Sequence, residues 1–66
     1  MKIQLNGEAR DIPDNSSAQD LIDLLGLGDK RLAMEANREI VPRTTYAQHV
    51  LHEGDEIEIV HAIGGG

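Results

Sequence analysis

The chain has 66 residues, 12 of them acidic and 6 basic, and a net charge of −6 at pH 7. Such a surface repels a phosphate backbone, and the one aromatic residue, Tyr46, offers bases no stacking platform, so nucleic-acid binding is excluded. The absence of cysteine removes disulfides, thiol nucleophiles and thiolate metal ligands. A domain this short hides only about 60% of its unfolded surface, which leaves little room for a deep catalytic pocket.

Ile, Leu and Val supply 17 residues, enough for an aliphatic core. At the start, Ile3 and Leu5 alternate with Lys2, Gln4 and Asn6, a strand pattern. Asn6-Gly7 is a strong hairpin signal, because both central positions of that turn want positive φ. Glu8 to Ile12 is the predicted return strand. Pro13-Asp14-Asn15 breaks the chain, and Ser16 with Gln19 forms the capping-box pattern of a helix start. Ala18, Leu21, Ile22 and Leu25 then recur as one apolar stripe, which predicts a helix of about ten residues closed by Gly26.

Leu32 to Ala36 reads as a third strand, Asn37-Arg38-Glu39 as a turn, and Ile40-Val41 as a short fourth strand stopped by Pro42. Thr45-Tyr46-Ala47-Gln48 repeats the capping-box pattern and predicts one helical turn. After the turn at Glu53-Gly54-Asp55, Glu56 to Val60 forms the last strand, with Ile57 and Ile59 on the core face and Glu56, Glu58 and Val60 on the other. Hairpin, helix, hairpin, helical turn and final strand make an α+β order. Right-handed crossover rules lay the helix across one face of a mixed sheet, with the last strand inserted parallel to the first. That arrangement is a ubiquitin-like β-grasp: about five strands packed on one main helix, in a domain spanning residues 1–63. No apolar run approaches a signal peptide or a membrane span, so the expected location is the cytoplasm.

The sequence ends Ile63-Gly64-Gly65-Gly66, and three consecutive glycines cannot form a core. Glycines 64–66 read either as a frayed end or as a flexible tail that threads into a narrow channel, bearing the α-carboxylate of Gly66 as its reactive group. A carboxylate must be activated before it can donate an acyl group. The chain carries no machinery for that: Gly26-Leu27-Gly28-Asp29-Lys30 has the wrong spacing for a phosphate loop and reads as the helix cap and its loop. ATP would therefore be bound by a partner. His49, His52 and His61 match no metal-ligand spacing and read as surface or edge residues. From Thr44 onward there are four acids, Glu53, Asp55, Glu56 and Glu58, and no Lys or Arg. They form either a solvated strand face or an acidic rim that steers the tail toward a basic partner.

Asn37-Arg38-Glu39-Ile40-Val41-Pro42-Arg43, then Tyr46-Ala47, then Gly54-Asp55-Glu56-Ile57-Glu58-Ile59-Val60, then a terminal Gly-Gly resembles the ThiS family, the ubiquitin-like sulfur carriers of thiamine biosynthesis. The resemblance spans nearly the whole chain. Ile40-Val41-Pro42-Arg43 is its most discriminating part; it departs at Tyr46, where many members carry tryptophan, and in having a third terminal glycine. It implies a carrier rather than an enzyme. An E1-like adenylating enzyme would use ATP and magnesium to activate Gly66, a persulfide donor of the cysteine desulfurase type would convert it to a thiocarboxylate, and a thiazole synthase would take the sulfur. The carrier itself would bind no cofactor and no metal. The resemblance assigns the sulfur to Gly66 and threading to Gly64 and Gly65. For docking, the expected residues are Glu56, Glu58, Val60 and Ile63. Alternatives are the small subunit of molybdopterin synthase, which shares fold, Gly-Gly end and thiocarboxylate, and a ubiquitin-like interaction module without covalent chemistry.

Overall fold

In the computed structural model, which describes residues 1–28 and 30–61, strands β1 (Lys2–Leu5) and β2 (Glu8–Asp11) form the first hairpin. Asn6 and Gly7 make its turn at φ 50° and 84°, the left-handed geometry that Asn tolerates and Gly adopts freely. Helix α1 (Ala18–Leu24) follows, then strands β3 (Leu32–Ala36) and β4 (Glu39–Val41), a single 3-10 turn (Arg43–Thr45), and strand β5 (Glu56–His61). The sheet order is β2-β1-β5-β3-β4, with β1 and β5 parallel and the other pairs antiparallel. This is the expected mixed sheet of the β-grasp, with the last strand in its centre.

The core lies between the sheet and α1. Ile3, Leu21, Met34, Leu51 and Ile57 are its largest fully buried side chains, and Ile12, Ala18, Ile22, Ala36, Val41, Tyr46 and Ile59 complete it. Each large aliphatic side chain buried there contributes roughly 1.5–3 kcal/mol. The predicted stripe on α1 faces inward as expected, with Leu25 half-buried at its end, while Leu24 points to solvent. No helix among the described residues is long and apolar enough to cross a membrane.

Three local expectations shift. The helix cap is Ser17, not Ser16, and the reciprocal partner is Asp20, not Gln19. The Asp20 N–H donates to Ser17 Oγ at 3.0 Å, and the Ser17 N–H donates to Asp20 Oδ2 at 2.9 Å. Ser16 is spoken for elsewhere: its hydroxyl donates to the Pro13 carbonyl at 2.7 Å and its carbonyl accepts from the Leu51 N–H at 2.8 Å. A carboxylate is also a stronger acceptor than an amide and suits the positive end of the helix. The helix has seven residues rather than about ten, because it starts one residue later and Leu25 is already its C-cap, while the chain turns at Gly26 (φ 72°) as expected. There the Gly26 N–H reaches the Asp23 carbonyl and the Leu27 N–H reaches the Ile22 carbonyl, the two bonds of a Schellman cap.

The second shift is in the β3–β4 turn. Asn37 (φ 53°) and Arg38 (φ 70°) form a two-residue turn, so β4 begins at Glu39 instead of Ile40. The third concerns the predicted turn of helix at Thr45–Gln48. The regular 3-10 turn is Arg43–Thr45, and the Thr45 hydroxyl donates back to the Pro42 carbonyl at 2.8 Å rather than capping a helix start. The segment beyond it seats α1. The Ala18 N–H donates to the His49 carbonyl and the Gln19 N–H to the Tyr46 carbonyl, so the first two amides of the helix are satisfied by this loop.

Candidate functional site

Strand β5 is the element that leads toward residues 62–66, and it is seated by both hairpin turns. On one side the Asn6 side chain imitates a continuation of β1 beyond its last residue: Oδ1 accepts from the Ile59 N–H at 2.9 Å and Nδ2 donates to the Ile59 carbonyl at 3.3 Å. On the other side, Asn37 Oδ1 accepts from the Glu56 N–H at 3.0 Å, and Nδ2 donates to Asp55 Oδ1 at 3.1 Å. Asp55 in turn accepts from the His52 N–H at 2.9 Å, which closes the turn ahead of the strand. Both asparagines stand at positive φ in the turns that the sequence marks, but their second role as clamps on a distant strand has no local signal. Only the assembled sheet brings residues 6 and 59, or 37 and 56, together.

The faces of β5 divide as expected. Ile57 and Ile59 are buried against the helix, and Glu56, Glu58 and Val60 lie on the outer face. Cross-strand register shows what surrounds them. Glu35 of β3 stands directly opposite Glu58 and also opposite Ile40 of β4, and Ala33 stands opposite Val60. Gln4 of β1 is the neighbour of Glu56. The outer face is therefore a small apolar patch, Ile40 at 76% and Val60 at 64% exposure with Ala33 between the strands, crossed by a line of acids. Ile40, Ala33 and Glu35 escape sequence reasoning because strand alternation assigns a face within one strand but not the neighbours across it. The alternation of Leu32, Met34 and Ala36 with Ala33 and Glu35 is the signal that could have found two of them.

Of the residues expected to carry function, Glu56, Glu58 and Val60 are brought together on this face. Ile63 and the tail residues Gly64, Gly65 and Gly66 lie outside the described residues. His52 and His61 are exposed and His49 half-buried, and among the described residues no group of three or more His, Cys, Asp or Glu is placed to hold a metal ion. At the opposite end of the sheet, the Met1 ammonium donates to the Ile12 carbonyl at 2.7 Å and to Asp14 Oδ1 at 2.9 Å. The hydrogen bond it donates to Asp14 holds its pKa above the usual α-amino value against the opposing effect of burial, with the charges of Asp14, Glu53 and Asp11 adding to the rise.

Comparison with known proteins places this geometry. The model of the ThiS family matches residues 3–66. The sulfur carrier protein ThiS of Escherichia coli is 32% identical over 66 residues, covering 100% of both chains. A thiazole synthase of Paramagnetospirillum magneticum is 42% identical over 66 residues, all of this chain but only 20% of that protein's length. In fold, the chain is similar to the crystal structure of a thiamine biosynthesis protein (ThiS) from Geobacter metallireducens, with a TM-score of 0.86, 22% identity and full coverage of both chains.

Proposed function

The chain belongs to the ThiS family, and from that membership we propose that it carries sulfur for thiamine biosynthesis as a thiocarboxylate on Gly66. The observation that carries this reading is the match of the family model through residue 66, which takes in the whole glycine end. The chemistry is that of an activated acyl group. An adenylating enzyme, using ATP and magnesium, joins the Gly66 carboxylate to AMP with release of pyrophosphate. A persulfide sulfur displaces AMP, and a thiol reduces the resulting acyl disulfide to the thiocarboxylate. A thiazole synthase is the acceptor, a partnership supported by relatives of that name that contain a segment similar to this entire chain.

In this reading the domain is a protein substrate working in the cytoplasm, and it binds no cofactor itself. Gly64 and Gly65 thread the partner's channel because they present no Cβ to its walls. The outer face of the sheet docks: Val60, Ile40 and Ala33 supply apolar contact, Glu56 and Glu58 steer, and Ile63 follows them toward the tail. The acidic rim fits a basic partner surface.

Intact-mass spectrometry after incubation with the adenylating enzyme, ATP and a persulfide donor tests the proposal. The expected gain is that of one oxygen replaced by sulfur, localised to Gly66. A chain lacking Gly66, or extended by one residue, should stay folded and gain nothing. Equal loading of the extended chain would refute the carrier reading. Transfer from the loaded chain to a thiazole synthase then tests the acceptor.

A further inference from the structure

Three of the six Lys and Arg residues of this acidic chain, Lys30, Arg31 and Arg43, line one open cavity of about 350 Å³. The cavity sits between the end of α1, the loop into β3, and the 3-10 turn. Its floor is apolar: Ile22 from the helix, Leu27 from the Schellman cap, Leu32 at the start of β3, and the buried Tyr46. Among the described residues none of the three cations is in an ion pair. Asp23, the acid on the adjoining turn of the helix, is engaged instead by the Gln19 amide at 3.1 Å. Leu32 pairs with His61, so the cavity opens at the end of the sheet where β5 leads toward the tail.

Gathering like charges has a cost that an ion pair would relieve, and two of the three are guanidinium groups, whose planar fork matches a carboxylate. The apolar floor would go unused by a bare inorganic anion. A protein segment with a carboxylate beside an aliphatic or aromatic side chain uses both parts. We propose that this groove docks such an acidic segment of a partner protein, its carboxylate on Arg43 with Lys30 or Arg31 and its apolar side chain over Ile22, Leu27 and Leu32. The inference rests on the sulfur-carrier reading in taking that partner to be one of the two enzymes that handle the tail. The domain then carries two docking surfaces of opposite sign: the acidic outer face of the sheet and this basic groove at the tail end. A partner that covers both must present both charges, which fixes the orientation in which the tail is delivered.

The test measures binding of the full chain to the adenylating enzyme and to the thiazole synthase, at low and high salt, for the wild type, Arg43→Glu, Lys30→Glu and Arg43→Lys. The substituted side chains are exposed, so the melting temperature should be unchanged. For at least one enzyme, each charge reversal should weaken binding about tenfold or more and flatten its salt dependence, while Arg43→Lys, which keeps the charge and loses the planar fork, should fall between the wild type and Arg43→Glu. Wild-type affinity for both reversed variants, with both enzymes, overturns the groove and leaves the carrier reading intact. If the wild type binds neither enzyme, the partner assignment itself fails and the groove proposal with it. Titration with inorganic phosphate or ATP alone provides the remaining arm: saturable shifts of the Leu27 and Leu32 methyl signals, lost in Arg43→Glu, would make this a small-anion site and overturn protein docking.

Discussion

At Glu56 and Ile57, β5 is paired along both edges, with Gln4 and Leu5 of β1 on one side and with β3 on the other, where Ala36 stands opposite Ile57. The Asn37 clamp and the Asp55 turn brace the same point. By Ile59 the first strand has ended. Among the described residues, the ladder from there to His61 continues only on β3, and the sole addition on the open side is the Asn6 side chain at Ile59. One strand is thus rooted on both edges at its start and on one edge where it approaches the tail. Pairing is concentrated at the root, and among the described residues the half that leads toward residues 62–66 is held by fewer bonds. On the proposed function such a gradient serves delivery of the terminus, because the root can stay fixed while the end is drawn into a partner's channel.

The largest effect should come from breaking the root. Ile57 is 1% exposed, and Ile57→Ala should cost about 2–5 kcal/mol through lost burial and the cavity left behind. A domain of this length has a total stability of roughly 3–10 kcal/mol, so urea denaturation should show most or all of the fold lost at 37 °C. A cost under 1 kcal/mol would mean that the Ile57 side chain does not anchor the root in the core.

Next comes the one-edged half. Asn6→Gly keeps the positive φ and removes only the clamp, and should cost about 1–3 kcal/mol, the price of leaving the Ile59 backbone groups without that partner. Amide hydrogen exchange should locate the damage. Protection should fall at residues 59–61 and persist at 56 and 57. Uniform loss along the strand would erase the distinction between its halves.

How much of this could be read from residues alone follows the range of the forces involved. The hairpin at Asn6-Gly7, the helix stripe and the inward Ile57 and Ile59 were legible because each rests on a periodicity or a turn chemistry contained in a few residues. The one-residue error at the helix cap arose because Ser16 with Gln19 and Ser17 with Asp20 fit the same pattern. What decides between them is that Leu51, 35 positions along, takes the Ser16 carbonyl. Arg38 in a left-handed turn was not legible, since that geometry costs a side chain about 1–2 kcal/mol and the hairpin imposes it from outside. Of the candidate docking face, the outward placement of Glu56, Glu58 and Val60 was legible within β5. Their neighbours Ile40, Ala33 and Glu35 needed the register, which no local pattern contains.

A smaller effect separates stability from docking in the one-edged half. Glu35 and Glu58 face each other across β3 and β5, a like-charge pair that disfavours the sheet. Glu58→Lys turns repulsion into attraction and should stabilise the domain by about 0.2–1 kcal/mol in the same urea assay. It should also weaken docking to the adenylating enzyme, most visibly at low salt. Gain of stability with loss of binding would show that the pair is tolerated for the sake of the partner. Unchanged affinity would reduce Glu58 to a solvated acid.

The smallest effect lies at the root, where the chain's first residues meet the turn into β5. The Gly54 N–H donates to the Lys2 carbonyl at 2.8 Å, and the Lys2 N–H to Glu53 Oε1 at 2.9 Å, next to the Met1 ammonium on Asp14. Because the folded state raises the pKa of that ammonium, it binds its proton more tightly than the unfolded chain does. The contribution is therefore complete below the unfolded α-amino pKa, near 8, and is lost as pH rises through the folded value. Asp14→Asn keeps the shape and removes the main cause, so the melting temperature of the variant should fall less between pH 7 and pH 10 than that of the wild type, with the two curves converging at the alkaline end. Parallel curves would show that the ammonium contact does not stabilise the root, and would leave its rigidity to the strand pairing and the Asn37 clamp alone.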